Sequence, residues 1–372
     1  MKKLLFAIFL YLLFLTPRPA FAQTSPPPNV KQVYMQGVVT AVTKQGTKKY
    51  GPVKNLFQDI AVKITSGSET GKTVRFENGG MLTISRDQLV HPSDKVILNK
   101  LTDPQGKVQY VIADQYRLNT LAVIIVFFLV LVLIFAGRRG LGAMLGLIIS
   151  LLTIALFIIP QILAGHDPLT ASIIGALFIM VTTIYLAHGF SKRSTIAVVS
   201  TLISLLLTGV LAVLFVNLGK LTGLGSDDAS TLQFGVNMTI NLRGLLLGGV
   251  IIGSLGVLDD TTTTQVATIF ELLKTDPTLS INQLVHKGFV IGREHIASLV
   301  NTLVLAYAGT AMGVFIFIVI SLKSGGQPWW VVFNSELIAE EIVRTLAGSI
   351  GIVLAVPITT YMAAIFSKYR LF

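Results

Sequence analysis

The chain has 372 residues, of which 52% are hydrophobic and only 13% are charged, and its net charge is +11. A soluble globular domain carries about twice that share of charged residues, so the composition argues against a soluble protein. The sequence has no cysteine, which excludes disulfides, thiol catalysis and cysteine-ligated zinc or iron–sulfur sites.

The N-terminus has the pattern of an export signal. Two lysines precede an apolar run over residues 4–15, and Ala20-Phe21-Ala22 supplies an A-x-A cleavage pattern. These features predict a signal peptide over residues 1–22 that is cleaved before Gln23, the alternative being an uncleaved anchor helix. Residues 23–30 contain three consecutive prolines and are expected to form an extended tether.

Residues 31–117 predict a small extracytoplasmic β-domain. Short runs of β-branched and aromatic residues, such as residues 59–64 and 73–76, are separated by Gly, Asn, Asp and Pro. About five such strands in ninety residues favour a small all-β barrel of the OB-like type or a small sandwich.

This β-domain is basic. It holds thirteen Lys or Arg and seven Asp or Glu, which gives a net charge of +6. Aromatic residues do not interleave with the basic ones, so nucleic acid is not an expected partner. After export, the basic surface would contact anionic headgroups, cell-wall polymer or a partner protein, or it would simply be solvated.

Seven apolar segments after Leu118 predict an α-helical polytopic membrane protein with about seven transmembrane helices. They cover residues 118–135, 141–163, 169–186, 195–216, 244–258, 296–322 and 342–366. The predicted fold class is therefore a transmembrane helical domain over residues 118–372, preceded by the small β-domain. The lipid bilayer is the partner that this composition requires.

The charges between the spans predict their orientation. Under strict alternation one side receives basic residues, namely Arg138, Arg139, Lys192, Arg193, Lys274, Lys287, Arg293, Lys368 and Arg370. The other side receives mainly acidic residues, namely Asp167, Asp227, Asp228, Glu336, Glu340 and Glu341. The basic side should be cytoplasmic, which places the N-terminus and the β-domain outside a bacterial cell membrane and the C-terminus inside.

The fifth apolar run is unusual because residues 244–258 would form a helix of only about 22 Å, against a hydrocarbon core of about 30 Å. A full crossing must then recruit polar neighbours, namely Asn237, Asn241, Arg243, Asp259, Asp260 and residues 261–265. Four consecutive threonines are poor helix formers, so we expect the backbone to break there, as in the discontinuous helices of transporters. The alternative for the two aspartates is a solvated helix end.

Small residues predict how the fifth run packs. Gly244 with Gly248, and Gly249 with Gly253, form two small-xxx-small pairs on adjoining faces, which predicts helix-packing contacts on more than one side. Further along, residues 266–273 predict a short amphipathic piece, and the sequence from Ser280 to Gln283 predicts a capping box that opens another short helix.

A polar face is predicted where the sixth span begins. Glu294, Ser298 and Asn301 recur at helical spacing, and Arg293 could pair with Asp259 or Asp260 if the inner loop folds back. Two mechanisms fit. In the first, the aspartates and Glu294 form a proton or cation relay, with Arg293 setting their pKa values.

The second mechanism is a divalent-cation site. Asp259, Asp260, Glu294 and His295 would bind a hard cation, but this needs a fold-back that the sequence does not establish, so it ranks lower and the metal stays unknown. The sequence contains no P-loop, no Gly-x-Ser-x-Gly elbow and no His-Glu-x-x-His motif, so we predict no cofactor and no enzyme activity.

Two long motifs carry a family resemblance. At Leu255-Gly256-Val257-Leu258-Asp259-Asp260 with Gln265, and at residues 292–298 continuing through residues 301–303 to residues 307–309, the chain resembles the YibE/F-like family of bacterial multi-spanning membrane proteins. The resemblance covers nearly the whole mature chain. It implies that the polar residues chosen above are hallmark positions of the family, and it implies no particular activity or ligand.

The leading functional hypothesis is a transport-related permease or channel subunit for an ion or small solute. Its polar site at membrane depth would comprise Asp259, Asp260, Gln265, Arg293, Glu294 and Asn301. The rival hypothesis is a non-transport envelope scaffold or factor whose external β-domain binds a partner. A homo-oligomer is compatible with both hypotheses.

Overall fold

The structure is a computed structural model that describes residues 31–50, 53–79, 84–235, 240–325 and 328–368. The predicted signal peptide and tether lie outside the described residues, as do Asn237 and Arg370. The described chain forms two compact units that divide between Leu131 and Val132.

The first unit contains one antiparallel sheet of five strands in the order β3-β2-β1-β4-β5. The strands are β1 Lys31–Tyr50, β2 Val53–Ser66, β3 Thr73–Gly79, β4 Lys95–Thr102 and β5 Val108–Gln115. A short 3₁₀ turn, Arg86–Gln88, lies between β3 and β4. Register shifts bend β1 at three places along its pairing with β2, so the long strand can wrap the apolar core.

The predicted barrel is wrong, because the sheet is open. Among the described strands, β3 pairs only with β2 and β5 pairs only with β4, so no ladder joins the two edges. Side chains bridge the edges instead, since the Tyr110 hydroxyl of β5 donates to Glu69 Oε2 at 2.7 Å in the turn before β3. The apolar core, which includes Met35, Ile64 and Leu98, is therefore buried although the strands do not form a complete ring.

The bridging carboxylate of Glu69 makes a testable contribution to stability. It accepts hydrogen bonds from Lys100, from Tyr110 and, at 3.2 Å, from Lys72. The Lys100 ammonium, followed by the Tyr110 hydroxyl, lowers the pKa of Glu69 from 4.5 to about 2. The stabilisation is therefore complete above pH 4.5 and is lost as the pH falls towards 2.

We expect Glu69→Gln to destabilise the sheet by about 1 kcal/mol at neutral pH, with the difference from wild type shrinking between pH 4.5 and 2. Hydrogen exchange of the strand amides in the full-length protein measures it. The control Glu77→Gln removes a more exposed ion pair with Lys48 and should have a smaller effect. Equal effects of the two variants, or a Glu69 effect that does not change with pH, would contradict this account.

Ten α-helices follow the sheet in the described chain. They are α1 Leu118–Thr153, α2 Ile159–Leu163, α3 Pro168–His188, α4 Lys192–Leu218, α5 Asp227–Gly235, α6 Leu242–Thr275, α7 Ile281–Thr310, α8 Met312–Lys323, α9 Trp329–Phe333 and α10 Glu336–Lys368. A π-helical turn, Ile154–Ile158, joins α1 to α2. Gly137 kinks α1 with a φ of 54°, which residues with a Cβ rarely adopt.

Seven described helical segments are long and apolar enough to cross a membrane, which agrees with the predicted number of spans. The kink at Gly137 separates the first two, Leu118–Gly137 and Arg139–Leu163. The predicted sixth span over residues 296–322 is divided, because α7 ends at Thr310 and α8 starts at Met312.

The predicted break at residues 261–264 is wrong, because α6 is continuous from Leu242 to Thr275. Thr261 and Thr263 donate to the carbonyls of Val257 and Asp259, four residues earlier, at 2.7 and 2.8 Å. Back-bonded threonines are compatible with a helix, and burial against other helices outweighs their low propensity. The helix is about 50 Å long, so the fifth span is not short.

The predicted capping box is confirmed, but the helix that it opens is not short. Ser280 N donates to Gln283 Oε1 at 2.8 Å and Gln283 N donates to Ser280 Oγ at 3.3 Å. From there α7 runs for 30 residues, through Gly288 and Gly292. A Cβ at Gly288 would clash with Ile269 of α6, and a Cβ at Gly292 would clash with Val356 of α10. Both glycines therefore let α7 lie close to its neighbours.

Contacts between helix termini define two ends of the bundle. At the basic end, Arg193 of α4 pairs with Glu271 of α6 at 3.1 Å, and Lys368 of α10 donates to the carbonyl of Leu279 before α7. At the acidic end, Asn241 Nδ2 donates to Asp167 Oδ1 at 3.1 Å. The same end holds Glu336, whose Oε1 accepts from Thr222 Oγ1 at 2.8 Å.

Candidate functional site

Asp259 lies halfway along α6 and is half-buried against α3. Thr183 Oγ1 donates to Asp259 Oδ2 at 3.2 Å. The other oxygen, Oδ1, is buried and has no hydrogen-bond partner among the described residues. Thr183 is five residues before His188, so this contact lies about 8 Å along α3 from the basic end. A carboxylate oxygen that is buried and unpaired is a place where a proton or a cation can bind.

A second polar contact lies beside it, between α4 and α6. The hydroxyls of Thr201 and Thr262 are 2.6 Å apart, and both side chains are fully buried. Thr201 is nine residues after Lys192, which places the contact about 14 Å along α4 from the basic end. The polar middle of α6 is therefore enclosed by α3 on one side and α4 on another.

Three packed helices, α4, α6 and α10, bury a set of hydroxyl side chains that we call the hydroxyl seam. Its members are Ser200, Thr201, Ser204, Thr208, Ser254, Thr261, Thr262, Ser349, Thr359 and Thr360. Several donate to a carbonyl of their own helix four residues earlier, as Thr208 does to Ser204 at 2.8 Å. Ser204, Ser349 and Thr359 have buried hydroxyl oxygens with no partner within the described chain.

Gln265 has a different environment from Asp259. Its Nε2 donates to the Gly288 carbonyl at 2.9 Å and to Thr360 Oγ1 at 2.7 Å, and the side chain is 2% exposed. It therefore ties α6 to α7 and α10. With both bonds made inside the protein, Gln265 positions helices and does not face a solute.

The remaining predicted site residues lie at the surface. Asp260, Arg293, Glu294 and Asn301 are all exposed, and no ion pair in the described part of the chain joins Arg293 to either aspartate. Across the described ranges, no group of three His, Cys, Asp or Glu side chains could hold a metal ion. The divalent-cation mechanism therefore has no support, and the predicted cluster reduces to Asp259 with its hydroxyl neighbours.

The four predicted packing glycines of α6 differ in their surroundings. A Cβ at Gly248 would overlap Ser172 Oγ of α3 and lie 3.1 Å from Ser172 Cβ, and one at Gly244 would lie 2.9 Å from Asn241 Nδ2. Nothing described lies within 4 Å of a Cβ at Gly249 or Gly253. Close helix contact therefore occurs on the α3 side of α6.

Two glutamates that the sequence placed only between two spans lie in the first turns of α10 and bind the backbone of the loop after α4. Glu340 is 4% exposed, and its Oε1 accepts from Gly225 N at 2.9 Å. Glu336 accepts from Gly223 N at 3.1 Å. Acidic residues are favoured in the first turn of a helix, but the sequence could not identify the loop backbone that these two bind.

The comparisons bear on the helical unit. A family model described as YibE/F-like protein matches residues 124–369, a range that contains every predicted site residue and the whole hydroxyl seam. No curated protein and no solved structure matches the chain.

Proposed function

We propose that this chain, which belongs to the YibE/F-like family, is an ion-coupled permease or channel subunit of the bacterial cell membrane. One observation carries the proposal: Asp259 is half-buried in the middle of a 34-residue span, with one carboxylate oxygen unpaired among the described residues. Ionisable side chains inside spanning helices are costly, and those that are kept commonly serve an ion or proton pathway.

The orientation follows from the charges at the two ends of the bundle. Lys192, Arg193, Lys274 and Lys287 lie at the helix termini that meet at the basic end, and the positive-inside rule assigns that end to the cytoplasm. The β-unit is then extracytoplasmic. Through its contact with Thr183, Asp259 would lie about 8 Å inside the cytoplasmic end of α3, below the headgroups.

The mechanism assigns binding to Asp259 and conduction to the hydroxyl seam. Thr183 fixes one carboxylate oxygen, and the free oxygen takes up a proton or a monovalent cation from the cytoplasmic side. Binding neutralises the carboxylate, which removes the cost of holding a charge within the bundle. The unpaired hydroxyls of Ser204, Ser349 and Thr359 give the ion or a water chain partners along α4 and α10.

Reconstitution tests the proposal. Purified full-length protein in proteoliposomes should carry a proton or cation flux, driven by an imposed membrane potential, well above the rate of protein-free liposomes. A pH-sensitive dye inside the liposomes reports protons, and ion-selective dyes report Na⁺ and K⁺. If no flux appears, and the β-unit on an unrelated membrane anchor replaces the whole protein in cells, the envelope-scaffold role is correct instead.

A further inference from the structure

A cavity of about 170 Å³ opens at the basic end of the bundle, among α1, α3, α4 and α6. Its polar lining consists of Arg139, His188, Ser191, Arg193, Ser194 and Thr263. Three of these side chains are basic and three carry hydroxyls. Among the described residues, no carboxylate lines the cavity, so it suits an anion, whereas the Asp259 site suits a cation.

The two arginines differ in how firmly they are held. Arg193 pairs with Glu271 at 3.1 Å and stacks over Phe270, with the guanidinium carbon 4.9 Å from the ring centroid. Arg139 is exposed and makes no ion pair with any described residue. Its charge is therefore available to a ligand, whereas Arg193 is already oriented by its partners.

Two further charges bear on the cavity. Asp260 lies within electrostatic range of His188, although Asp260 is not part of the lining. The first turn of α4 lines the same cavity, because Ser191, Arg193 and Ser194 all belong to its lining. Ser191 caps this helix by accepting a hydrogen bond from Ser194 N at 3.2 Å. The positive end of the 27-residue helix adds to the field of the arginines.

We propose that this cavity binds a phosphoryl oxyanion. The arginines supply charge and paired N–H donors, which suit phosphate oxygens. The hydroxyls of Ser191 and Ser194 lie 2.9 Å apart, so one donates to the other and the second is left as a donor for the anion. The cavity is open on one side and has room for a phosphate or phosphomonoester. The phosphoryl group could belong to a soluble anion or to an anionic lipid headgroup.

The proposal does not depend on transport by Asp259. The test uses the full-length protein, titrated with inorganic phosphate at constant ionic strength set by chloride, and the same protein in nanodiscs of phosphatidylcholine with or without phosphatidylglycerol. Phosphate should raise the melting temperature, or phosphatidylglycerol should be retained selectively in native mass spectra. The first result identifies a soluble ligand and the second a lipid headgroup.

Matched variants locate the site. Arg139→Gln should weaken binding at least tenfold, while Arg139→Lys should keep part of it and shows that the bundle still folds. Lys192→Gln removes a positive charge at the same end but outside the cavity lining, and it should change affinity less than twofold. The proposal is overturned if wild type binds neither ligand, or if Arg139→Gln and Lys192→Gln weaken binding equally.

Discussion

Replacing Asp259 by asparagine should reduce ion flux in proteoliposomes at least tenfold while the protein stays folded. Asparagine has nearly the same size, and its oxygen can still accept the hydrogen bond from Thr183. It cannot carry a negative charge or take up a proton in the working range. The measurement is the initial rate of flux at matched protein density, with circular dichroism and a melting curve on the same sample.

The adjacent residue provides the control. Asp260 has the same side chain on the same helix but is exposed, so Asp260→Asn should keep most of the flux. If both variants lose flux equally, the flux depends on the net charge of this segment of α6 and does not depend on the buried position of Asp259. If Asp259→Asn transports at the wild-type rate, the ion-binding role is wrong.

Gly248→Leu should destabilise the bundle by about 1–3 kcal/mol, because the new side chain points into α3, where even a Cβ overlaps Ser172. Gly249→Leu is the matched control. It makes the same change one residue later, where nothing described lies within 4 Å, and it should be neutral or slightly stabilising because leucine has the better helix propensity.

Equilibrium unfolding of both variants in mixed detergent and denaturant checks this difference. Equal stability losses would mean that α6 does not pack against α3 through Gly248. If only Gly249→Leu lost stability, another helix or a second copy of the chain would pack against the Gly249 face of α6, where nothing described lies within 4 Å.

The number of spans and the β-rich first unit could be predicted because both rest on local patterns. Apolar segments of membrane length mark each span, and short β-branched runs mark the strands. Closure of the sheet could not be predicted, because it depends on whether β3 meets β5, and these edges are joined by the Glu69–Tyr110 contact between residues far apart in sequence. The continuity of α6 was missed because packing outweighs the weak propensity of its threonines.

The candidate site was only partly visible in the sequence. Asp259 stands out because it is a charged residue beside an apolar run, and a charge at membrane depth can be recognised from a single sequence. Its contact with Thr183 joins residues 76 positions apart, which no local spacing reveals. The hydroxyl seam was missed because Ser and Thr are common in spanning helices, where back-bonding to the helix hides their role.

The central claim is that Asp259 lies below the headgroups in an enclosed polar centre, and cysteine labelling tests it most directly. Wild type has no cysteine, so Asp259→Cys and Thr275→Cys each carry a single thiol, the second at the exposed end of α6. In inside-out vesicles, a bulky impermeant maleimide should label residue 275 rapidly and residue 259 at least a hundredfold more slowly, while a small methanethiosulfonate reaches both. Equal maleimide rates at the two positions would place residue 259 in cytoplasmic water and contradict the account.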